Sequence, residues 1–164
     1  MIRVLSLLIF LMLSIPSLKA NTFILNKDFI VAEGTDNIEY YLSTDTEISP
    51  QERYFQMKNS KVEAVKRYLF FTTRSQKWLF FKVYNPQEVP FDFLLEMGNF
   101  GLNQADYYIF YNDSILESGT VATRSGLKTS EYYDRNIVIP YTAQAQREYT
   151  FLIRIQTNAP IFDM

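Results

Sequence analysis

Tyr132 and Tyr133 stand beside Glu131, Asp134 and Arg135 in a polar stretch, so two aromatic rings fall among acids and a guanidinium. Sugar rings present apolar C–H faces that stack on aromatic side chains, and hydroxyls that carboxylates, amides and arginine bond. Glu131, Tyr132, Tyr133 and Arg135 are therefore the first-ranked contact surface for a small ligand, and Asp106, at the start of an aromatic run, is ranked with them. The same residues also have a bland reading. Tyrosine packs in a sheet core with its hydroxyl at the rim. Arg135 and Asp106, each at the start of a strand, suit a structural ion pair or turn bond.

Other chemistries find little support. The chain has no histidine and no cysteine, which removes the usual general base, the commonest zinc ligand and any disulfide. No phosphate-binding loop, nucleophile elbow or metal motif occurs. Carboxylates are numerous, but no spacing singles out a glycosidase pair, whose geometry sequence does not reveal. Glu33, Asp36 and Glu39 could approach a calcium ion, although a solvated rim describes them better. The expectation is a binding protein, not an enzyme, with no cofactor and no metal. The 16 basic residues form no block against 18 acidic ones, so nucleic acid is a poor partner.

Met1-Ile2-Arg3 gives a short basic start, Val4–Ile15 is almost wholly apolar, and Pro16 leads into Ser17-Leu18-Lys19-Ala20. That order is the plan of an export signal cut after Ala20, and its apolar run is short of the ~20 residues a spanning helix needs. An uncleaved anchor is the alternative, because Leu18 is larger than the usual residue at its position. Residues 21–164 then form one domain, exported to the periplasmic or extracellular side. With Arg3 and Lys19 gone, 14 bases face 18 acids, a net charge of −4. The closing Ile161-Phe162-Asp163-Met164 reads like the start of another strand, so the domain is expected to be cut short.

Aromatics make up 16% of the chain, with 14 Phe, 12 Tyr and one Trp, and such residues favour sheets. Strands are expected at 23–25, 29–31, 38–42, 68–72, 78–84, 91–97, 106–111, 114–117 with 119–122 as its continuation, 136–139 and 148–156. Asn85-Pro86 opens a turn, and Asn112-Asp113 sits at a hairpin tip; Asn112-Asp113-Ser114 also spells a glycosylation sequon. Ser49-Pro50-Gln51-Glu52 is a capping box with proline at the first helical position, which predicts about two turns of helix over 50–56. The sum is an all-β β-sandwich with one short helix. Trp78 is expected as a core anchor. Phe80 and Phe81 are adjacent and cannot enter one core together, so one sheet face needs a cover of loop, helix or partner. By the same rule one member of each pair Tyr40/Tyr41, Tyr107/Tyr108 and Tyr132/Tyr133 points outward.

Several segments, taken in order, resemble the extracellular domain of the seven-transmembrane receptors with diverse intracellular signalling modules (7TMR-DISM). They are Ile38-Glu39-Tyr40-Tyr41-Leu42; Trp78-Leu79 running into Asn85-Pro86; Leu94-Leu95-Glu96-Met97-Gly98; Asp106-Tyr107-Tyr108-Ile109-Phe110; Arg135 before Asn136-Ile137-Val138-Ile139-Pro140; and Tyr149 to Gln156. The resemblance covers about residues 23–164. It implies a jelly-roll-like β-sandwich related to carbohydrate-binding modules, a small-molecule or carbohydrate ligand, and a membrane receptor portion or membrane protein as partner. Two departures bear on the ligand. Phe80 stands where the family often has arginine after Trp-Leu, and the segment before Arg135 lacks proline. A freestanding secreted binding or adhesion module is the alternative reading of the same fold.

Overall fold

A computed structural model describes residues 22–26, 38–45, 47–59, 61, 63–64, 76–97, 104–122 and 137–156. The architecture follows from β3 (Gln76–Asn85), which is apolar on both faces. Trp78 and Phe80 point to one side and Leu79, Phe81 and Val83 to the other, since successive side chains alternate across a strand. All five are buried. A strand of this composition is stable only when both of its faces are covered.

β3 lies in a sheet of six strands with β1 (Thr22–Ile24), β2 (Glu39–Ser43), β5 (Gln104–Tyr111), β6 (Ser114–Ala122) and β8 (Arg147–Gln156). The order is β1-β3-β8-β5-β6, and β2 shares the β1 side of β3. β1 runs parallel to the Lys82–Tyr84 half of β3, while β2 runs antiparallel to its Gln76–Phe80 half. The remaining ladders are antiparallel. β4 (Phe91–Met97) and β7 (Ile137–Ala143) pair antiparallel as a second sheet.

The inner faces of the two sheets make the main core. Phe81 stacks on Phe151 at 5.3 Å, and Phe93 and Tyr141 of the small sheet meet Phe151 edge-on at 6.1 and 5.5 Å. Leu79, Val83, Ala105, Ile109, Ile137, Ile139 and Ile153 complete the layer. The all-β sandwich expected from the sequence is thus present.

The outer face of the large sheet is covered by α1 (Pro50–Lys58). Ser49 caps it, accepting the Glu52 N–H at 3.2 Å, with proline in the first turn, as the capping box predicts. The helix outlasts its predicted end at 56 because Met57 is buried beneath it with Tyr54. Nine residues do not make a stable helix alone, so packing holds it. Tyr54 stacks on Phe110 at 4.0 Å and lies 6.2 Å from Phe80. Burying such a ring contributes about 2 kcal/mol. The tip of the β5–β6 hairpin adds polar ties: Asp113 accepts from the Tyr54 hydroxyl at 2.6 Å and pairs with Lys58, and Gln51 donates to its carbonyl at 2.8 Å. The Lys58–Asp113 pair is exposed, so the buried ring and not the ion pair holds the helix. α1 is the cover that the Phe80/Phe81 pair requires. Tyr41 does point to the outer face, yet it is buried under this layer.

The β5–β6 hairpin turns at Asn112 and Asp113, both with positive φ (49° and 63°), the conformation a two-residue primed turn requires. Beyond it 119–122 continues 114–117 as the sequence suggests, in one strand, β6, with a register shift opposite Ile109 and Phe110. β7 likewise continues through Pro140 to Ala143, where the sequence predicts its end. Proline fits there because, among the described residues, β7 pairs on one side, with β4. The strands predicted at 29–31 and 68–72 lie outside the described residues.

Asn85 ties the β3–β4 and β7–β8 turns together. Its fully buried amide donates to the carbonyls of Val89 and Ala143, each at 2.9 Å, and of Gln144 at 3.3 Å, while its oxygen accepts from the Gln87 N–H at 3.0 Å. Asn85→Ala strands several of these groups, so it lowers the free energy of unfolding by about 2–4 kcal/mol. Urea denaturation measures this, and a loss below about 0.5 kcal/mol, the level of an ordinary surface change, would contradict it.

Candidate functional site between the β6 and β7 edges

Among the described residues β6 ends the large sheet and β7 ends the small one, and they approach each other without sharing a ladder. The sandwich is therefore open along this side, and a cleft of about 810 Å³ lies there. Pro140 has no N–H to offer an adjoining strand, and the register shift bends β6 beside Leu116. Both features work against closure of the gap.

The cleft walls combine rings with polar groups. Phe93 and Tyr141 supply aromatic surface over the fully buried Tyr149, Leu94, Leu116 and Pro140 supply apolar surface, and Asp92, Glu117, Gln144 and Arg147 hydrogen-bonding groups. Tyr141 and Tyr149 meet edge-on at 5.3 Å, and Tyr111 packs 5.7 Å from Tyr149 with the Arg147 guanidinium 4.9 Å from the Tyr111 ring. The Tyr149 hydroxyl accepts the Gln144 N–H at 3.1 Å, and Thr142 donates to Asp92 at 2.7 Å. Burial, with Tyr149 and Glu117 nearby, pushes the Tyr141 hydroxyl well above the usual phenol range, so it remains a neutral donor at physiological pH.

Gly119 lies two residues beyond Glu117 of the cleft wall. A Cβ there would lie 2.7 Å from the Tyr107 hydroxyl oxygen and 2.8 Å from ring carbons. Glycine lets the Tyr107 ring lie over β6, and its hydroxyl donates to Glu117 at 3.1 Å. Glu117 faces inward at the open edge, in register with Ile109. Sequence reasoning missed this site. Glu117, Tyr141 and Arg147 come from three strands, and only the topology brings them together.

Of the residues ranked from sequence, Glu131, Tyr132, Tyr133 and Arg135 lie outside the described residues. Asp106 is described, and it belongs to a row of directly opposed residues that crosses the outer face: Tyr41, Trp78, Arg154, Asp106 and Thr120. Arg154 donates twice to one Asp106 oxygen, at 2.9 and 2.7 Å, while Thr120 at 2.7 Å and Gln104 at 3.3 Å donate to the other. The Arg154 guanidinium also lies 5.8 Å from the Trp78 ring, as does that of Arg53 from α1. Trp78 itself is wholly buried, as a core anchor should be. Asp106 thus has the geometry of a structural ion pair. Among the described residues no group of acids has the arrangement to hold a metal ion.

Burial would raise the Asp106 carboxyl, but the hydrogen bonds from Thr120, Arg154 and Gln104 overcome it and hold the group below its ordinary value of 3.8. A depressed carboxylate contributes stability that is full above the unfolded value and is lost as pH falls through the folded one. Asp106→Asn therefore destabilises the fold by about 3 kcal/mol at pH 7, because Arg154 loses its partner. The gap from wild type narrows as pH drops below about 4. Thermal melts at pH 7 and pH 3 check this, and a gap that is the same at both would contradict it.

A family model described as 7TMR-DISM extracellular 2 matches residues 35–162. The chain matches no curated protein and no solved structure. The family match spans most of the chain, from before β2 to beyond β8, and it is the family that the motifs in the sequence resemble. The chain belongs to the 7TMR-DISM extracellular 2 family, whose members are sensor domains of membrane receptors on the periplasmic or extracellular side.

Proposed function

We propose that this sensor domain binds a carbohydrate in the cleft between β6 and β7 and does not act on it chemically. The observation that carries this reading is the mixture in one open cleft of the Tyr141 ring with Glu117, Gln144, Asp92 and Arg147. Rings stack on the C–H faces of a sugar, and amide, carboxylate and guanidinium groups bond its hydroxyls. Both carboxylates are exposed and already hold neighbours, Asp92 accepting from Thr142 and Glu117 from Tyr107, which suits hydroxyl recognition.

Signalling requires that the ligand favour one of two arrangements. Leu116 and Glu117 of the cleft wall follow the hairpin tip that α1 grips through Asp113, so a ligand that displaces this wall bears on the helix contact as well. The receptor's membrane portion is the natural recipient of such a change.

A glycan array on the mature domain tests the reading. At least one glycan binds saturably, Tyr141→Ala weakens that binding by about tenfold or more, and the glycan is recovered uncleaved. Binding that Tyr141→Ala leaves intact would move the site elsewhere, and cleavage of the bound glycan would overturn the non-catalytic reading.

A further inference from the structure

The charges on the walls of the β6–β7 cleft are unbalanced. Asp92 of β4 and Glu117 of β6 bring two carboxylates, and Arg147 of β8 brings one cation. Both acidic residues are exposed. Asp92 stands opposite Thr142 in the small sheet and accepts its hydroxyl on Oδ1 at 2.7 Å. Glu117 accepts the Tyr107 hydroxyl on Oε1 at 3.1 Å. Among the described residues neither carboxylate is paired with a lysine or arginine, and the second oxygen of each accepts no hydrogen bond. Arg147 does not offset them. It forms no ion pair among the described residues, and its guanidinium lies 4.9 Å from the Tyr111 ring, a cation–π placement that already engages its charge. Both Glu117 and Arg147 reach the Tyr141 hydroxyl electrostatically, and the effect of the carboxylate is the larger. The ring on which a sugar would stack therefore sits in a field that is negative on balance.

That field discriminates among sugars. A hydroxyl donates to a carboxylate, but an ammonium donates to it more strongly, because both partners are then charged. An ammonium is also drawn to the face of a tyrosine ring. A uronic acid would add a third carboxylate beside two that have no counter-charge, which is unfavourable. An N-acetylated amine keeps the shape of the sugar and loses the charge. Exposed ion pairs contribute little in open water, so the preference arises as the sugar fills the cleft and displaces water from the two acids.

Resting on the carbohydrate reading above, we infer that the cleft selects sugars that carry a free, protonated amine, with Glu117 and Asp92 as the groups that receive the ammonium. Calorimetric titration of the mature domain with three probes at about pH 6, where such amines are protonated, tests this. The probes are the tetramer of β-1,4-linked glucosamine, its fully N-acetylated counterpart, and a tetragalacturonate. The free-amine tetramer binds about fivefold or more tighter than the N-acetylated one, and the tetragalacturonate binds weakest. In the double variant Asp92→Asn/Glu117→Gln, whose amides keep the shape of the acids, the ratio between the first two falls towards one. A preference that survives in the double variant would mean attraction to the acidic protein as a whole and would overturn the inference. So would equal or tighter binding of the N-acetylated tetramer or the tetragalacturonate, or binding of none of the three. If another glycan binds on the array and depends on Tyr141, the carbohydrate reading stands although the amine preference fails; if no glycan binds at all, both fail.

Discussion

The burial of β3 on both faces is the constraint from which the rest follows. A strand carrying Trp78 and Phe80 on one side and Leu79, Phe81 and Val83 on the other cannot sit in a sheet with a wetted face. β8 repeats the pattern beside it, with Leu152 outward and Phe151 and Ile153 inward. The inner side is closed by a second sheet. The outer side is closed by a helix too short to stand alone, held by Tyr54 and Met57 against Phe80, Phe110 and Leu152. Three layers result, and the large sheet lies in the middle.

The same arrangement explains where polar groups gather. The outer face is apolar only beneath α1. Next to it the row from Trp78 through Arg154 to Asp106 and Thr120 pairs every charge it holds. Among the described residues the small sheet has two strands and shares no ladder with β6, and the edge between β6 and β7 is a cleft whose walls hold both rings and hydrogen-bonding groups. The proposed binding chemistry thus falls at an edge where the described strands of the two sheets do not pair.

Much of the fold was legible in the sequence, for identifiable reasons. Alternation and β-branched or aromatic runs marked the strands, Ser49 to Glu52 marked the helix start, and Asn112-Asp113 marked the hairpin. Adjacent Phe80 and Phe81 announced a second cover. Boundaries failed where tertiary contacts override local rules. Pro140 reads as a stop, but among the described residues β7 is an edge strand with no use for the missing N–H. The continuation of the hairpin strand through Gly119 to Ala122 was legible, and the Tyr107 ring fills the place of the glycine's side chain. The site was far less legible. Asp106 stood out for its position and turned out to be bound to Arg154, 48 residues away, a pairing no local pattern reveals. Glu117, Tyr141 and Arg147 converge only because β6, β7 and β8 meet at one edge of the sandwich.

The two-sided burial of β3 can be tested with the chain's one tryptophan, because Trp78 lies on the outer face, under the layer that α1 completes. In the folded protein its fluorescence should be blue-shifted and resistant to acrylamide, and it should become red-shifted and readily quenched only on unfolding in urea. A native emission already as red and as quenchable as in urea would mean that the outer face is uncovered, and would contradict the account.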